Sequence, residues 1–321
     1  MNRSGCAISP FYPTDTTLLF TEKAETNNGL KDNIVSIKIF SKSALINNLQ
    51  SPSRAFTIST ENWRTKSGFL IQSDSAELNV LSRMESGGEK LGELTDMFYG
   101  IKVYQIGKGK PPQTEKIRDT KPFTLATQKN KSFLPFFDGK HIGRYQLLWD
   151  DNNWLYYGPW VAEPRFPEKF EGEKLLVRKI VADTLIATYI PKTSYCNTLL
   201  YVVKIHNDAG LLYKFLLGIL CSRLLGWYFR KKFQISFEDT FPQILLRDMM
   251  QFPIPLQGLE AQNKMVSLVE RMLALHRRSA RTPQEQEMIQ REIESTDRAI
   301  DALVYELYGL TEDEVKIVER G

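Results

Sequence analysis

Cysteine is scarce in this chain. Cys6, Cys196 and Cys221 are odd in number and far apart, and no Cys-x-x-Cys pair occurs. Neither a disulfide framework nor a zinc site is expected. Histidine is equally sparse, and His141, His206 and His276 are scattered, so no metal site is anticipated. Long apolar runs are missing too. The most apolar window, 211–229, is interrupted by Lys214 and Arg223, which reads as a buried amphipathic helix rather than a membrane span. The first ten residues hold no apolar stretch of signal-peptide type. A cytoplasmic protein with no membrane partner is expected.

Several catalytic signatures are also lacking. An adenine methylase of the amino type needs Asn or Asp followed by Pro-Pro-aromatic to hold the flipped base. The Pro-Pro here, in Lys110-Pro-Pro-Gln113, has neither the acid or amide nor the ring. Gly107-Lys-Gly109 does not fit the phosphate loop Gly-x4-Gly-Lys-Ser/Thr, and no glycine-rich turn for adenosylmethionine is found. Glu314-Val-Lys316 has the Glu-x-Lys spacing of a metal-dependent nuclease but opens an acidic helix, where chance explains it better. No Gly-x-Ser-x-Gly occurs. No catalytic residue, metal ligand or cofactor-binding residue is assigned.

What is present is a core and an uneven charge. With 42% hydrophobic residues in 321, the chain can bury about two domains. Its net charge is only +4, yet residues 100–145 hold ten Lys or Arg against three acids, while 258–321 hold nine basic and thirteen acidic residues. The positive charge is therefore a patch. It is interleaved with aromatics, glycines and prolines, as on a surface that follows a phosphate backbone. A solvated basic loop is the plainer alternative.

Periodicity gives the elements. Thr16–Lys23 and Asn33–Phe40 read as strands around the turn Asn27-Asn-Gly29. Residues 76–89 read as a short helix closed by Gly87-Gly88. Residues 147–149 and 154–160 read as strands around a turn, followed by strands at 174–181, 185–190 and 199–205 and a long helix over 211–232. Thr282-Pro-Gln-Glu285 starts a helix and Thr311-Glu-Asp-Glu314 another. Ile289, Ile293, Thr296, Ile300, Leu303 and Leu307 form a narrow seam for one partner helix. The fold class is α+β: a mixed, twisted sheet followed by a long antiparallel helical hairpin over 259–308.

The order of these segments resembles the TaqI-like C-terminal specificity domain of adenine-specific DNA methylases, including fused restriction-modification enzymes of type IIG. Residues 98–114 look like its opening loop, and Phe136-Phe-Asp-Gly-Lys-His-Ile-Gly-Arg-Tyr145 is similar to its Gly-x-Asp-Ile-x-Arg-Tyr motif. His141 stands where the family often has Asp. Residues 173–179, 217–229, 241–255 and 300–314 resemble its later segments, with Cys221-Ser222 in place of a usual Asn-Ser. The likeness spans roughly 75–319. Residues 14–40 also resemble the last strands of the methylase domain, so the chain would start inside a longer enzyme.

The resemblance implies a sequence-specific DNA recognition domain, with residues 1–45 as a methylase remnant, 46–257 as the recognition domain and 258–321 as a helical spacer. Its parent is an adenine-N6 methyltransferase, with or without a fused nuclease, that uses S-adenosylmethionine; this chain itself takes no cofactor. Double-stranded DNA and a methyltransferase domain or subunit are the implied partners, and 259–308 could join two copies. The expected DNA contacts are Lys102, Lys108, Lys110, Lys121, Lys129, Lys131, Lys140, Arg144, Tyr145, Arg178 and Lys179. Arg144 and Arg178 could instead pair with buried acids, and Tyr145 suits packing better than base stacking. An intact methyltransferase, or a non-catalytic module docking a methylase through its hairpin, are the rival readings.

Overall fold

The structure, a computed structural model, describes residues 34–39, 54–59, 73–233 and 242–320. Chain contacts divide it into Met1–Leu78 and Asn79–Gly321. In the first unit, β1 (Ile34–Ile39) pairs antiparallel with β2 (Arg54–Ser59), Ile37 opposite Phe56. The strand anticipated at 33–40 is thus present and pairs with 54–59. The strand anticipated at 16–23 lies outside the described residues. Helix α1 (Ser75–Ser86) opens on a reciprocal cap: Glu77 N–H donates to Asp74, and Asp74 N–H to Glu77.

In the second unit come β3 (Glu89–Lys90), α2 (Leu91–Leu94), β4 (Thr95–Tyr99), α3 (Glu115–Thr120), β5 (Thr124–Leu125), β6 (Phe133–Phe137), β7 (Ile142–Gly143), β8 (Gln146–Leu147), β9 (Trp154–Tyr156), β10 (Lys174–Arg178), β11 (Ala187–Ile190), β12 (Tyr195–Cys196) and β13 (Leu200–Ile205). Next are α4 (Tyr213–Leu220), α5 (Arg223–Phe233), α6 (Leu246–Met249), β14 (Pro253–Ile254), α7 (Leu259–Leu275), α8 (Pro283–Leu307) and α9 (Glu312–Arg320). Two four-stranded sheets, in orders β11-β10-β13-β4 and β12-β6-β9-β5, face one core. The first is antiparallel; β12 joins β6 in parallel in the second. Leu176, Val202, Phe137, Leu155 and Phe170 fill the space between them.

Strands at 174–178, 187–190 and 200–205 sit within the apolar runs expected to form them. The strands at 147 and 154 do not pair with each other. β8 pairs with β7, and β9 lies between β5 and β6. The helix expected over 211–232 is broken at Cys221-Ser222 into α4 and α5. Ser222 Oγ accepts from Leu225 N–H (3.2 Å) and donates to Ile219 O (2.7 Å), so its hydroxyl starts a new helix instead of continuing the old one.

The second helix of the hairpin starts where Thr282 accepts Glu285 N–H at 3.1 Å. Thr311 and Glu314 cap α9 reciprocally. The seam residues Ile289 and Ile300 are buried, and α7 and α8 pack on each other and on α4 and α5. This part of the seam is therefore covered by the chain's own helices, while Ile293, Leu303 and Leu307 are half-buried. Among the described residues no helix is long and apolar enough to cross a membrane.

Candidate nucleic-acid interface

The basic loop begins as an edge of the core. Ile101 and Val103 point inward, so the period of two turns Lys102 outward. Ile101 bridges Asn197, and Lys102 bridges Glu163. A Cβ at Gly100 would lie 2.1 Å from Asn197 O, so only glycine lets the chain pass here.

Gln113 then closes the loop. It is 3% exposed. Its Oε1 accepts Gln105 N–H at 2.9 Å, and its Nε2 donates to Val103 O and Trp160 O, both at 2.8 Å. Backbone bonds Gly107 N–H to Gln113 O and Lys110 N–H to Pro159 O complete the brace. Gly109, at φ +88°, passes where a Cβ would meet Trp160 O at 2.5 Å. The Gln113 side chain and these backbone bonds hold the loop, and Lys108 and Lys110 stand exposed on it.

A second support is aromatic. Tyr104 stacks on Phe123 with centroids 5.6 Å apart, Tyr156 on Trp160 at 4.5 Å, and Phe133 on Tyr156 at 5.3 Å. The Tyr104 hydroxyl accepts Phe123 N–H at 2.8 Å. Lys121, Lys129 and Lys131 are exposed on the loops that this stack underlies. Lys102, Lys108, Lys110, Lys121, Lys129, Lys131 and Lys140 are all exposed.

The segment 136–145 builds a tight corner. Asp138 accepts Gly139 N–H (2.7 Å) and the Asn197 amide (2.5 Å). His141 Nδ1 accepts Asp138 N–H at 2.9 Å, so histidine supplies an acceptor at this position, as a carboxylate would. Burial, then Lys140, lowers the His141 pKa, which keeps Nδ1 free to accept. Lys140 is left exposed on the turn.

Arg144 and Tyr145 do not belong to the exposed set: Arg144 pairs with an acid and Tyr145 packs in the core, the alternatives to DNA contact that the sequence left open. Tyr145 is 1% exposed, at φ +58°, with its N–H on Ala187 O at 2.9 Å; it is a core residue in a left-handed backbone held by its surroundings. Arg144 donates twice to Cys221 O, at 2.9 and 2.7 Å, and twice to Asp297, at 2.8 and 2.6 Å. The helix break at Cys221 frees the carbonyl that Arg144 takes. Burial alone would lower the Arg144 pKa; Tyr145, Asp297 and Cys221 outweigh it and raise it. Arg178 is half-buried. Lys179 lies with its ammonium 5.5 Å from the Tyr99 ring centroid. Both sit at the end of β10, separate in the chain from the loops of 102–131.

Sequence reasoning missed three supporting residues. Gln113 carries no signal of its role. Lys174 does: a lysine ahead of Leu175-Leu-Val177 enters a buried strand. It is fully buried and donates to Phe170 O, Gly172 O and Lys192 O at 2.8 to 3.0 Å. Asp297 was signalled only as an acid beside an apolar seam. Burial pushes the Cys196 and Cys221 thiols up to about 12, which leaves them protonated and unreactive. No group of three or more His, Cys, Asp or Glu able to hold a metal occurs among the described residues.

Residues 134–254 match the family model of the TaqI-like C-terminal specificity domain. The span starts after the basic loop and ends before the hairpin. A protein of Methanocaldococcus jannaschii that carries the name of a type II restriction enzyme and methyltransferase is 28% identical over 130 residues. That stretch is 40% of this chain and 11% of the relative. Among solved structures, the chain is similar to the type IIL restriction-modification enzyme MmeI in complex with DNA, at 11% identity and TM-score 0.44, covering 72% of this chain and 36% of that one. It is also similar to the type IIG restriction endonuclease BpuSI (11% identity, TM-score 0.41, 92% and 42% covered). A third likeness is to the HsdS subunit of Thermoanaerobacter tengcongensis (15%, TM-score 0.34, 73% and 50% covered).

Proposed function

We propose that this chain, whose residues 134–254 match the family model of the TaqI-like C-terminal specificity domain, recognises a double-stranded DNA target for a restriction-modification adenine-N6 methyltransferase. The observation that carries the reading is the Gln113-braced loop, which presents exposed lysines on a fixed frame beside that domain. Lys102, Lys108, Lys110, Lys121, Lys129, Lys131 and Lys140 contact phosphates and set the register on the duplex. Polar side chains on the same loops read base edges in the major groove. Arg178 and Lys179 are a secondary contact at the end of β10.

The catalytic step and S-adenosylmethionine binding belong to a methylase domain or subunit that this chain partners. Residues 1–45 would be the last part of such a domain, and 258–321 a spacer. Self-association through 259–308 is the weaker partner reading, because Ile289 and Ile300 are already covered by this chain's helices.

The test is selection from a randomised duplex pool at two salt concentrations, followed by sequencing. Enrichment of one motif with a steep salt slope supports the reading. Absence of DNA binding sinks it and leaves the interaction module.

A further inference from the structure

Phe166 is 74% exposed, more than any other described large apolar side chain. One exposed apolar side chain is ordinary on a surface. What distinguishes this one is the ordering of the backbone that presents it. Pro164 and Pro167 bracket the ring. The Tyr157 hydroxyl donates to Arg165 O, and Lys169 N–H to Phe166 O at 3.1 Å. Lys204 donates to Glu171 O at 2.9 Å, and Lys174 to Phe170 O at 2.8 Å. The fully buried Phe170 pins the far end of the loop. The near end is fixed to the basic loop itself: Ala162 N–H donates to Val103 O and Glu163 N–H to Lys102 O, both at 2.9 Å. A phenyl ring is thus held in water on a fixed frame, next to the lysine-bearing loop.

We propose that Phe166 is an apolar wedge that inserts at a base step of the DNA target. This rests on the DNA-recognition reading above. The lysines of 102–110 complement the phosphates, whereas the charged residues around the ring, Glu163, Arg165, Glu168 and Lys169, sum to zero and give a phosphate no net attraction there. The tip of this loop therefore fits the bases rather than the backbone. Insertion of an apolar side chain partly unstacks a step and bends the duplex, and wedges of this kind are recurrent in DNA binding. Because the loop is already ordered, little freedom is lost on insertion. The sequence dependence of step stacking would then give discrimination at a position without hydrogen-bonded base contacts.

The experiment uses the full chain and duplexes carrying the motif enriched from the random pool, with 2-aminopurine substituted step by step along the motif. Wild type is expected to raise 2-aminopurine fluorescence at one step. Phe166→Ala should abolish that rise and lower affinity roughly tenfold while leaving the salt slope unchanged, and Phe166→Trp should keep the rise. The ring is exposed, so the thermal midpoint should not move. Lys108→Ala/Lys110→Ala, run in parallel, tests the underlying reading by a reduced salt slope. If that double variant loses binding while Phe166→Ala keeps affinity and fluorescence, the wedge is wrong and DNA recognition stands. A changed motif with no fluorescence rise in wild type overturns insertion in favour of a surface contact such as a thymine methyl. Absence of DNA binding or of any enriched motif overturns both.

Discussion

A lysine with no access to water has two opposed effects on the fold, and Lys174 shows which one wins. Burial holds its pKa down at about 8, against an ordinary value of 10.5. That gap corresponds to roughly 3 kcal/mol of penalty on the charged form. The same ammonium satisfies the carbonyls of Phe170, Gly172 and Lys192. Stranding a buried carbonyl costs about 1–3 kcal/mol, so three together exceed the penalty. Lys174→Met, which keeps the volume, should therefore lower unfolding free energy by about 2 kcal/mol in a urea titration. A neutral or stabilising result would mean that the carbonyls find water when the ammonium leaves. Asp301 reverses the sign. It is nearly buried, and burial raises its pKa to about 6 although Arg223 N–H donates to it at 2.8 Å. A raised folded value means that the folded state binds the proton more tightly than the unfolded one. The stability it contributes is complete below the ordinary carboxylate value and is lost as pH rises through about 6. Asp301→Asn keeps the acceptor for Arg223 N–H and removes the titration. The wild type should lose up to about 3 kcal/mol relative to this variant between pH 4 and 7, as read from unfolding midpoints.

At the scale of elements, the basic loop depends on one amide. Gln113→Leu removes the partners of Gln105 N–H, Val103 O and Trp160 O in a single step. The loop should loosen without unfolding the sheets, because Ile101 and Val103 remain in the core. Hydrogen exchange at the amides of Gly107 and Gln113 should accelerate while that of β10 and β13 stays slow; equal acceleration everywhere would place Gln113 in the global fold instead. The elements differ in how far the sequence exposed them. The apolar runs in 174–178 and 200–205, and the caps at Thr282 and Thr311, are local signals, and the structure has strands and helix starts there. Pairing is not local. Nothing in 147–160 shows that β8 turns back to β7 while β9 enters the other sheet. Apolar periodicity also ran through Cys221-Ser222 without a break, because the interruption is made by the Ser222 hydroxyl and by Arg144, far away in the chain. Gln113 was illegible for the same reason, since its partner at Trp160 lies 47 residues away.

For the whole second unit, Lys140 and Arg144 are the pair at which the proposed binding role can be separated from architecture. They are four residues apart in one motif, and the sequence offered both as DNA contacts, with an acid pair as the alternative for Arg144. Lys140 is exposed, whereas Arg144 joins the motif to the helix break at Cys221 and to Asp297 on the hairpin, 153 residues on. The Arg144 and Asp297 side chains are 25% and 29% exposed. Removing one partner of a fully buried pair costs about 3–5 kcal/mol, and partial exposure brings the expectation for Arg144→Ala to about 2–3 kcal/mol. Lys140→Ala should leave the unfolding midpoint unchanged and reduce the slope of log affinity against log salt by about 0.9, the signature of one lost phosphate contact. Arg144→Ala should do the converse: it lowers the midpoint and, where the protein is still folded, keeps the salt slope. A double-mutant cycle with Asp297→Ala should return a coupling energy of about 1–3 kcal/mol, since the two side chains share two hydrogen bonds. If Arg144→Ala instead keeps its midpoint and loses one unit of salt slope, the guanidinium leaves Asp297 for a phosphate when DNA arrives. The hairpin would then be released by target binding rather than fixed to the sheet throughout.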